Sequence, residues 1–469
     1  MKIKDFSRAL AEFWAEFRKS TSGLIGLGIL AVSLLVVIFE PVILPWHDTN
    51  DKWRSIDYWI DNPSLAKPAW TNLFAKEKSP STRHIVSPKI ESVDTDEGMK
   101  IVRYVFPYDY QFDKAPLDLI FRASITGSVP ISISVERPDG TTIELASHYE
   151  EGLTGQGIRM AMSNEGKDAT FDFLKGYETE EAVGSLNSDS VAAPSVIFGT
   201  AASGMASHFT ALKGKYQLVA TAMLLDPANS KIENPTFIVS GSVSGVLGTD
   251  DMKRDIFSGL LAGLKWALII GILTSAISVL VGVIYGITSA YYGGIVDTIM
   301  QFIYQIVSSM PLLPVLIVIG AIFKPSIWFV IAVMVLFFWT GPVMTVRSMA
   351  FQIKEETYIE AARALGANNR RIIWRHMLPI LIPYSFANMA LSVPSAIVYE
   401  STISLLGLGD ATIVTWGQIL HDAMQGGAVL NGVWWWIIPP GLLIAILGMS
   451  FAFLGFAMDK ILNPKLQTR

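Results

Sequence analysis

Apolar runs of about 20 residues, the length a helix needs to cross a hydrocarbon core of about 30 Å, recur along this chain and leave few folds open to it. They extend from about Gly23 to Ile43, Trp266 to Tyr291, Ile299 to Phe323, Ile327 to Val346, Leu378 to Leu406 and Val433 to Met458. We read them as six membrane-spanning helices. Lys2, Lys4, Arg8, Arg18 and Lys19 precede the first run as they would in a signal peptide, but the run is long and no small-x-small cleavage site follows. It therefore reads as an uncleaved span. Charged residues make up 16% of the chain, against about 25% in soluble proteins. They concentrate in 47 to 247, whereas 256 to 350 and 377 to 457 are apolar for long stretches. A net charge of −5 offers no basic surplus for nucleic acid. The lack of cysteine excludes disulfides, thiolate nucleophiles and cysteine-ligated zinc or iron–sulfur centres.

Cations in short loops set the orientation. With an even number of spans both ends share a side. That side also receives Arg347, Lys354, Arg363, Arg370, Arg371 and Arg375 in the 347 to 376 segment, and Lys460, Lys465 and Arg469 in the tail. The connection from Gly407 to Gly432 holds Asp410 and Asp422 and no Lys or Arg. Both termini are thus expected in the cytoplasm of a multi-pass cell-membrane protein, and 47 to 247 on the other side.

That insert has a different grammar. Ile131-Ser132-Ile133-Ser134-Val135 alternates, passes through Pro138-Asp139-Gly140-Thr141 and continues into Thr142-Ile143-Glu144-Leu145, which is a hairpin signal. Tyr216 to Leu225 and Thr236 to Val243 also read as strands, Glu178 to Ser190 as an exposed acidic loop, and the whole as a small β-sandwich. Trp46, Trp53, Tyr58, Trp59 and Trp70 cluster near the membrane exit. They read as an interfacial belt with domain core, or as a stacking platform for peptide or sugar.

The most informative stretch is Glu355 to Ala367, continuing through Arg370 to Pro379. Residues 355 to 365 are strong helix formers, and Gly366 supplies the positive φ that stops a helix. A second short helix then runs to Pro379. This predicts a helix-turn-helix elbow on the cytoplasmic face. Its alanine centre lets a partner's backbone come close, with Glu360 and Arg363 as charged contacts at the rim.

Glu360-Ala361-Ala362, three residues, Gly366, then nine residues to His376 and Leu378-Pro379 resembles the coupling loop of permease subunits of ATP-binding cassette importers, specifically the peptide and nickel branch. Gly248-Thr249-Asp250 with Arg254-Asp255 and Ser258, Tyr292-Gly293-Gly294 with Asp297, and Glu400-Ser401 through Gly407-Leu408-Gly409 resemble further motifs of that branch, as does Glu40-Pro41 in the first span. The likeness covers about 1 to 46 and 248 to 469, a little over half the chain. Lys253 stands where the family usually has glycine, so the turn there is expected to differ, and the long insert departs from the usual second peptide permease.

Apolar runs and strand signals together predict an all-α transmembrane core of six helices, in the permease fold of the family resembled, with an inserted extracytoplasmic β-rich, sandwich-like domain. The chain is expected to divide into 1–46, the insert 47–247, and a core 248–469 carrying the coupling loop 347–379. The resemblance implies a homologous permease subunit, two cytoplasmic ATPases and an extracytoplasmic substrate-binding protein as partners within membrane lipid. Glu360, Ala361, Ala362, Arg363 and Gly366 would couple to the ATPases, and the solute would be a di- or oligopeptide. Oligosaccharide, nickel or another solute is the alternative.

The chain holds no Gly-x-x-x-x-Gly-Lys-Ser/Thr phosphate loop, so ATP would be used by the partner subunits and no cofactor is expected in this chain. His47, His84, His148, His208, His376 and His421 make no His-Glu-x-x-His pattern, and no Gly-x-Ser-x-Gly elbow occurs. A metal site and an enzymatic role are not expected. Glu400, an acid in an otherwise apolar span, and its neighbour Ser401 are the pathway candidates. Glu400 would attract a peptide amino group, cap a neighbouring helix or pair with a partner's cation. Ser392, Ser395, Ser401, Thr402 and Ser404 would line a polar path or simply pack helices. Arg254 and Asp255 read as a charge pair on a lead-in helix. A ligand-sensing receptor would need a cytoplasmic signalling module, and a secondary transporter shows no inverted repeat.

Overall fold

The computed structural model describes residues 13–44, 49–94, 99–151, 157–323 and 326–462. Lys2, Lys4, Arg8, Trp46, His47, Lys465 and Arg469 lie outside them. The chain divides into two compact units, Met1–Arg54 with Ser258–Arg469, and Ser55–Phe257.

The first unit is helical. Its principal helices are α1 (Thr21–Ile43), α2 (Ile256–Tyr292), α3 (Gly294–Ser309), α4 (Leu312–Ile322), α5 (Ile327–Phe338), α6 (Thr340–Lys354), α7 (Thr357–Ala364), α8 (Leu378–Leu405), α9 (Trp416–Gln425) and α10 (Trp434–Leu462). Among the described residues, five helices are long and apolar enough to cross a bilayer: Thr21–Ile43, Ile256–Tyr292, Ile327–Lys354, Asn369–Leu405 and Trp434–Ile461. The span expected at Ile299 to Phe323 is not one straight helix. It is a pair, Gly294–Ser309 and Leu312–Ile319, bent by 77°. Proline explains the break. Pro311 precedes the first turn of α4, and the residue before it, Met310, is extended at ψ 130, as the proline ring demands of its neighbour.

Small residues bring the helices together. A Cβ on Gly26 of α1 would stand 2.5 Å from the Ser450 carbonyl oxygen of α10, so only glycine permits that approach. One buried acid in α1 is neutralised across helices, with Lys265 Nζ of α2 3.0 Å from Glu40 Oε1. Trp53 is buried with its indole against Gly259, which assigns it to packing.

The second unit is built on two antiparallel sheets. The strands are β1 (Arg83–Ile85), β2 (Lys89–Asp94), β3 (Lys100–Tyr110), β4 (Asp118–Thr126), β5 (Ser128–Glu136), β6 (Thr142–Glu151), β7 (Ile158–Arg159), β8 (Gly214–Leu224) and β9 (Lys231–Ser240). One sheet has the order β1-β9-β4-β7 and the other β2-β3-β8-β5-β6. Phe106, Ile131, Leu145 and Leu218 of the second sheet and Leu119, Phe121 and Phe237 of the first belong to one buried cluster. The expected hairpin is β5–β6, in register Glu136 with Thr142. Its turn depends on Gly140 at φ +81 and on Asp139 Oδ1, which accepts from the Thr141 amide at 3.0 Å and hydroxyl at 2.6 Å. β8 lies within two residues of expectation, whereas β9 begins five residues earlier than the sequence suggested.

The acidic segment is not a plain loop. Glu180–Gly184 is a helix capped by the Thr179 hydroxyl. Glu178 accepts the backbone N–H groups of Gly204 at 3.0 Å and Ala206 at 2.9 Å, and these hold its carboxyl below the usual range. Trp59 is buried while Tyr58 and Trp70 are exposed, so the aromatic group divides between core and surface.

Candidate functional site

The segment after α6 forms the expected elbow. Ile359 is fully buried and anchors α7 in a cluster with Val283, Ile287, Val346, Ile372 and Met377. Ile359 is the one buried side chain of α7 among the described residues. Gly366 stops the helix at φ +82. Its N–H bonds to the Arg363 carbonyl and the Ala367 N–H to the Ala362 carbonyl, both at 3.0 Å, which is the paired-bond cap that a left-handed residue makes possible. The next turn, Asn369–Ile372, is capped by the Asn368 side chain at 2.8 Å. The second helix does not run regularly to Pro379: Ile373–Met377 is a π turn. Pro379 offers no N–H to the Arg375 carbonyl, so the regular ladder is interrupted there.

Two contacts tie the elbow to the end of α2. The Tyr291 hydroxyl donates to Asn369 Oδ1 at 2.8 Å, and the Arg363 guanidinium lies 6.0 Å from the Tyr291 ring centre. Glu360, Ala361, Arg363 and Gly366 are exposed and Ala362 partly so. The sequence reading missed Leu365, 89% exposed, and Tyr358, 40% exposed. Both are large apolar side chains on the outer surface of the elbow. Their helical spacing from Ala361, three before and four after, was the available signal.

Glu400 lies in α8 and is buried, as are Ser401 and Ser404. Ser404 Oγ donates to Glu400 Oε1 at 2.8 Å and Ser401 Oγ lies 3.5 Å from Oε2. The Thr415 hydroxyl also reaches this carboxylate while capping α9 through the Gln418 N–H at 3.2 Å. Gly417 packs directly on Ser401 and Ser404. The carboxylate thus sits among hydroxyls beside the first turn of α9, where negative charge is favoured. Ser392 and Thr402 donate instead to the carbonyls of Asn388 and Val398 on their own helix.

A second polar group joins α2, α3 and α6. Arg347 binds Asp297 through Nε to Oδ1 at 2.8 Å and Nη2 to Oδ2 at 2.5 Å. Ser289 also donates to Asp297, and Gln301 donates to Ser289 at 3.1 Å. Both ionic residues were noted in the sequence, one as a motif residue and one as a loop cation. Their pairing was not.

In the Gly-Thr-Asp signature, Thr249 is fully buried, donating to the Pro63 carbonyl at 2.7 Å and accepting the Ala66 N–H at 2.9 Å. The signature's ion pair forms between Asp250 and Arg254, Nε to Oδ2 at 2.5 Å. Burial dominates over the attraction of Arg254 and pushes the Asp250 carboxyl up to about 6. The lead-in helix starts only at Ile256, after this pair, because the Asp250 side chain takes up the Arg254 N–H at 2.7 Å. Lys253 has φ +67, a conformation that favours glycine. The turn therefore adopts a glycine-like backbone without a glycine.

Residues 278–468 match the family described as binding-protein-dependent transport system inner membrane component. Residues 9–68 match the N-terminal TM domain of oligopeptide transport permease C. The dipeptide transport system permease protein DppC of Bacillus subtilis is 34% identical over 221 residues, 47% of this chain and 68% of that protein. The chain belongs to this family of inner membrane transport components. Within it, similar proteins are permeases of dipeptide and oligopeptide systems. A further example is OppC of B. subtilis, 31% identical over 47% of this chain and 72% of its own. A solved inward-facing MetNI methionine ABC transporter aligns over 44% of the chain with 19% identity and a TM-score of 0.31.

Proposed function

We propose that this chain is a permease subunit of an ATP-driven importer of di- and oligopeptides. It pairs with a homologous permease subunit, two cytoplasmic ATPases couple to it, and a binding protein delivers solute on the other side. The observation that carries the reading is the elbow at 357–377. It is fixed to its own unit by Ile359 and Tyr291, yet it leaves Glu360, Ala361, Arg363, Leu365 and Gly366 outward. A rigid knob of small and apolar residues with a charged rim suits docking better than catalysis. Glu360, Ala361, Ala362 and Gly366 form its coupling core, with Arg363 in support.

Both termini lie in the cytoplasm, and the bent pair α3–α4 counts as the third of six spans. The insert 47–247 is a sandwich-like domain on the outer side that docks or gates the binding protein. Glu400 is assigned to holding Ser401, Ser404 and Thr415 in place at the α8–α9 junction; this arrangement shapes the pathway. The peptide names of the relatives favour peptide over saccharide or nickel.

Reconstitution into liposomes with the partner subunits tests this directly. Uptake of a labelled dipeptide should require ATP hydrolysis and resist competition by oligosaccharide. Uptake without ATP would replace the reading by secondary transport, and displacement by sugar would change the solute class.

A further inference from the structure

Two strand edges in the β unit face one slot and have no strand to pair with among the described residues. β1 is the outermost strand of its sheet and pairs only with β9 among the described residues. β3 outlasts its neighbour: β2 accompanies it from Lys100 to Val105, whereas β8 continues beside it to Tyr110. On the β2 side, residues 106–110 therefore have no partner strand among the described residues. Residues 82–87, from β1 and its continuation, and residues 107–109 of β3 line an open slot of about 550 Å³. That volume falls within the range of about 300–1,000 Å³ typical of small-ligand sites.

The lining is polar and unevenly satisfied. Tyr108, 3% exposed, lines the slot, and its buried hydroxyl has no hydrogen-bond partner. Its ring packs in the core with Tyr110 and Phe198, and the exposed side chains on this part of β3 are those of its neighbours Pro107 and Asp109. Arg83 and Asp109, opposite charges on the two edges, both line the slot, are exposed, and act electrostatically on that phenol. Arg83 has no ion-pair partner among the described residues, and Asp109 accepts only from Gln111, at 2.6 Å, among the bonds its side chain makes.

We propose that this slot binds a short free peptide in extended form. Its backbone adds to the β1 and β3 edges, its carboxylate meets Arg83, and its ammonium meets Asp109. Main-chain groups at an open strand edge recognise another backbone whatever its side chains. Three strand residues span about 10 Å, which matches β1 in length and a tripeptide in size. The site would thus read peptide length and termini but tolerate many sequences. It goes beyond the transport reading and does not depend on ATP or on the partner subunits.

The test is calorimetric titration of the full chain in nanodiscs with trialanine, with trialanine blocked at both termini, and with trialanine methylated on its central amide nitrogen. Saturable binding of trialanine is expected, weakened about tenfold by either modification of the peptide. Arg83→Ala and Asp109→Asn should each weaken it about tenfold. Absence of saturable binding would overturn the proposal. So would equal affinity for the methylated peptide, or binding abolished by Glu400→Gln but indifferent to Arg83→Ala and Asp109→Asn. Binding at the slot by a protein that imports no peptide in liposomes would sink the transport reading alone. Import without slot binding would sink this proposal alone.

Discussion

Arg347 holds Asp297 by two parallel hydrogen bonds, so that α6, which leads directly to the 357–377 elbow, is fastened to the bent helix α3. The two side chains are 23% and 14% exposed, dry enough that losing one partner strands the other's charge. Arg347→Gln should therefore lower stability by about 3 kcal/mol. The double variant Arg347→Gln/Asp297→Asn should recover most of that loss, because no lone charge remains. Unfolding in detergent measures both, and equal loss in single and double variants would refute an ion-pair origin.

Gly366 presents a separable case. Nothing lies within 4 Å of the place its Cβ would occupy, so Gly366→Ala meets only the backbone cost of φ +82, about 1 kcal/mol. Ala361 is exposed, so Ala361→Trp should leave insertion and stability intact while obstructing an approaching partner. Uptake should fall by tenfold or more, about 1.4 kcal/mol in docking terms, with ATP hydrolysis no longer tied to transport. Normal uptake by this variant would rule out docking at that surface.

Lys253 carries strain that glycine would relieve. At φ +67 a side chain costs about 1–2 kcal/mol, while Lys253 Nζ returns one hydrogen bond to the Ile60 carbonyl at 3.1 Å. Lys253→Gly should be neutral to stabilising by about 1 kcal/mol. Lys253→Met keeps the strain and loses the bond, so it should be the less stable of the two; the reverse order on thermal unfolding would contradict this assignment.

Acid should loosen the 204–206 segment. The two backbone N–H groups on Glu178 favour its charged form and depress its pKa below the ordinary 4.5. For a depressed acid the stabilising contribution is complete above the ordinary value and disappears as pH falls through the lower, folded-state value. Amide exchange at Gly204 and Ala206, corrected for intrinsic rate, should accelerate over that acid window. Glu178→Gln should lose this pH dependence; identical profiles would mean that another group governs the segment.

How far these features could be seen in advance depended on the range of the interaction. The apolar runs announced themselves because each span satisfies its own backbone, yet the 77° bend at Pro311 was passed over inside one of them, although Ser308, Ser309 and Pro311 interrupt it. The β5–β6 hairpin was visible from alternation and Asp139-Gly140, local signals both. β3 was harder to see because Val105 and Phe106 are consecutive and both buried, which breaks the period-two pattern. Gly366 was legible as a helix stop. The exposure of Leu365 was not, since hydrophobicity alone assigns leucine to an interior. Glu400 stood out as an acid in an apolar helix, but its Thr415 neighbour comes from across a turn, and only the folded chain brings the two together.

The incoming and outgoing stretches of the β unit are stitched to each other. Leu65 N–H bonds to the Asp250 carbonyl at 2.9 Å, Lys67 N–H to that of Ser242 at 3.1 Å, and Thr249 N–H to that of Ala66 at 2.9 Å. Its two ends are consequently neighbours by virtue of its own folding. Along the chain, some two hundred residues act on the flanking helices as a short tether would, and the entropy of closing so long a loop, which grows only as the logarithm of its length, is met inside the unit. Such a domain is portable. A lineage could gain or shed it in a single genetic step without redesigning the helices that bracket it.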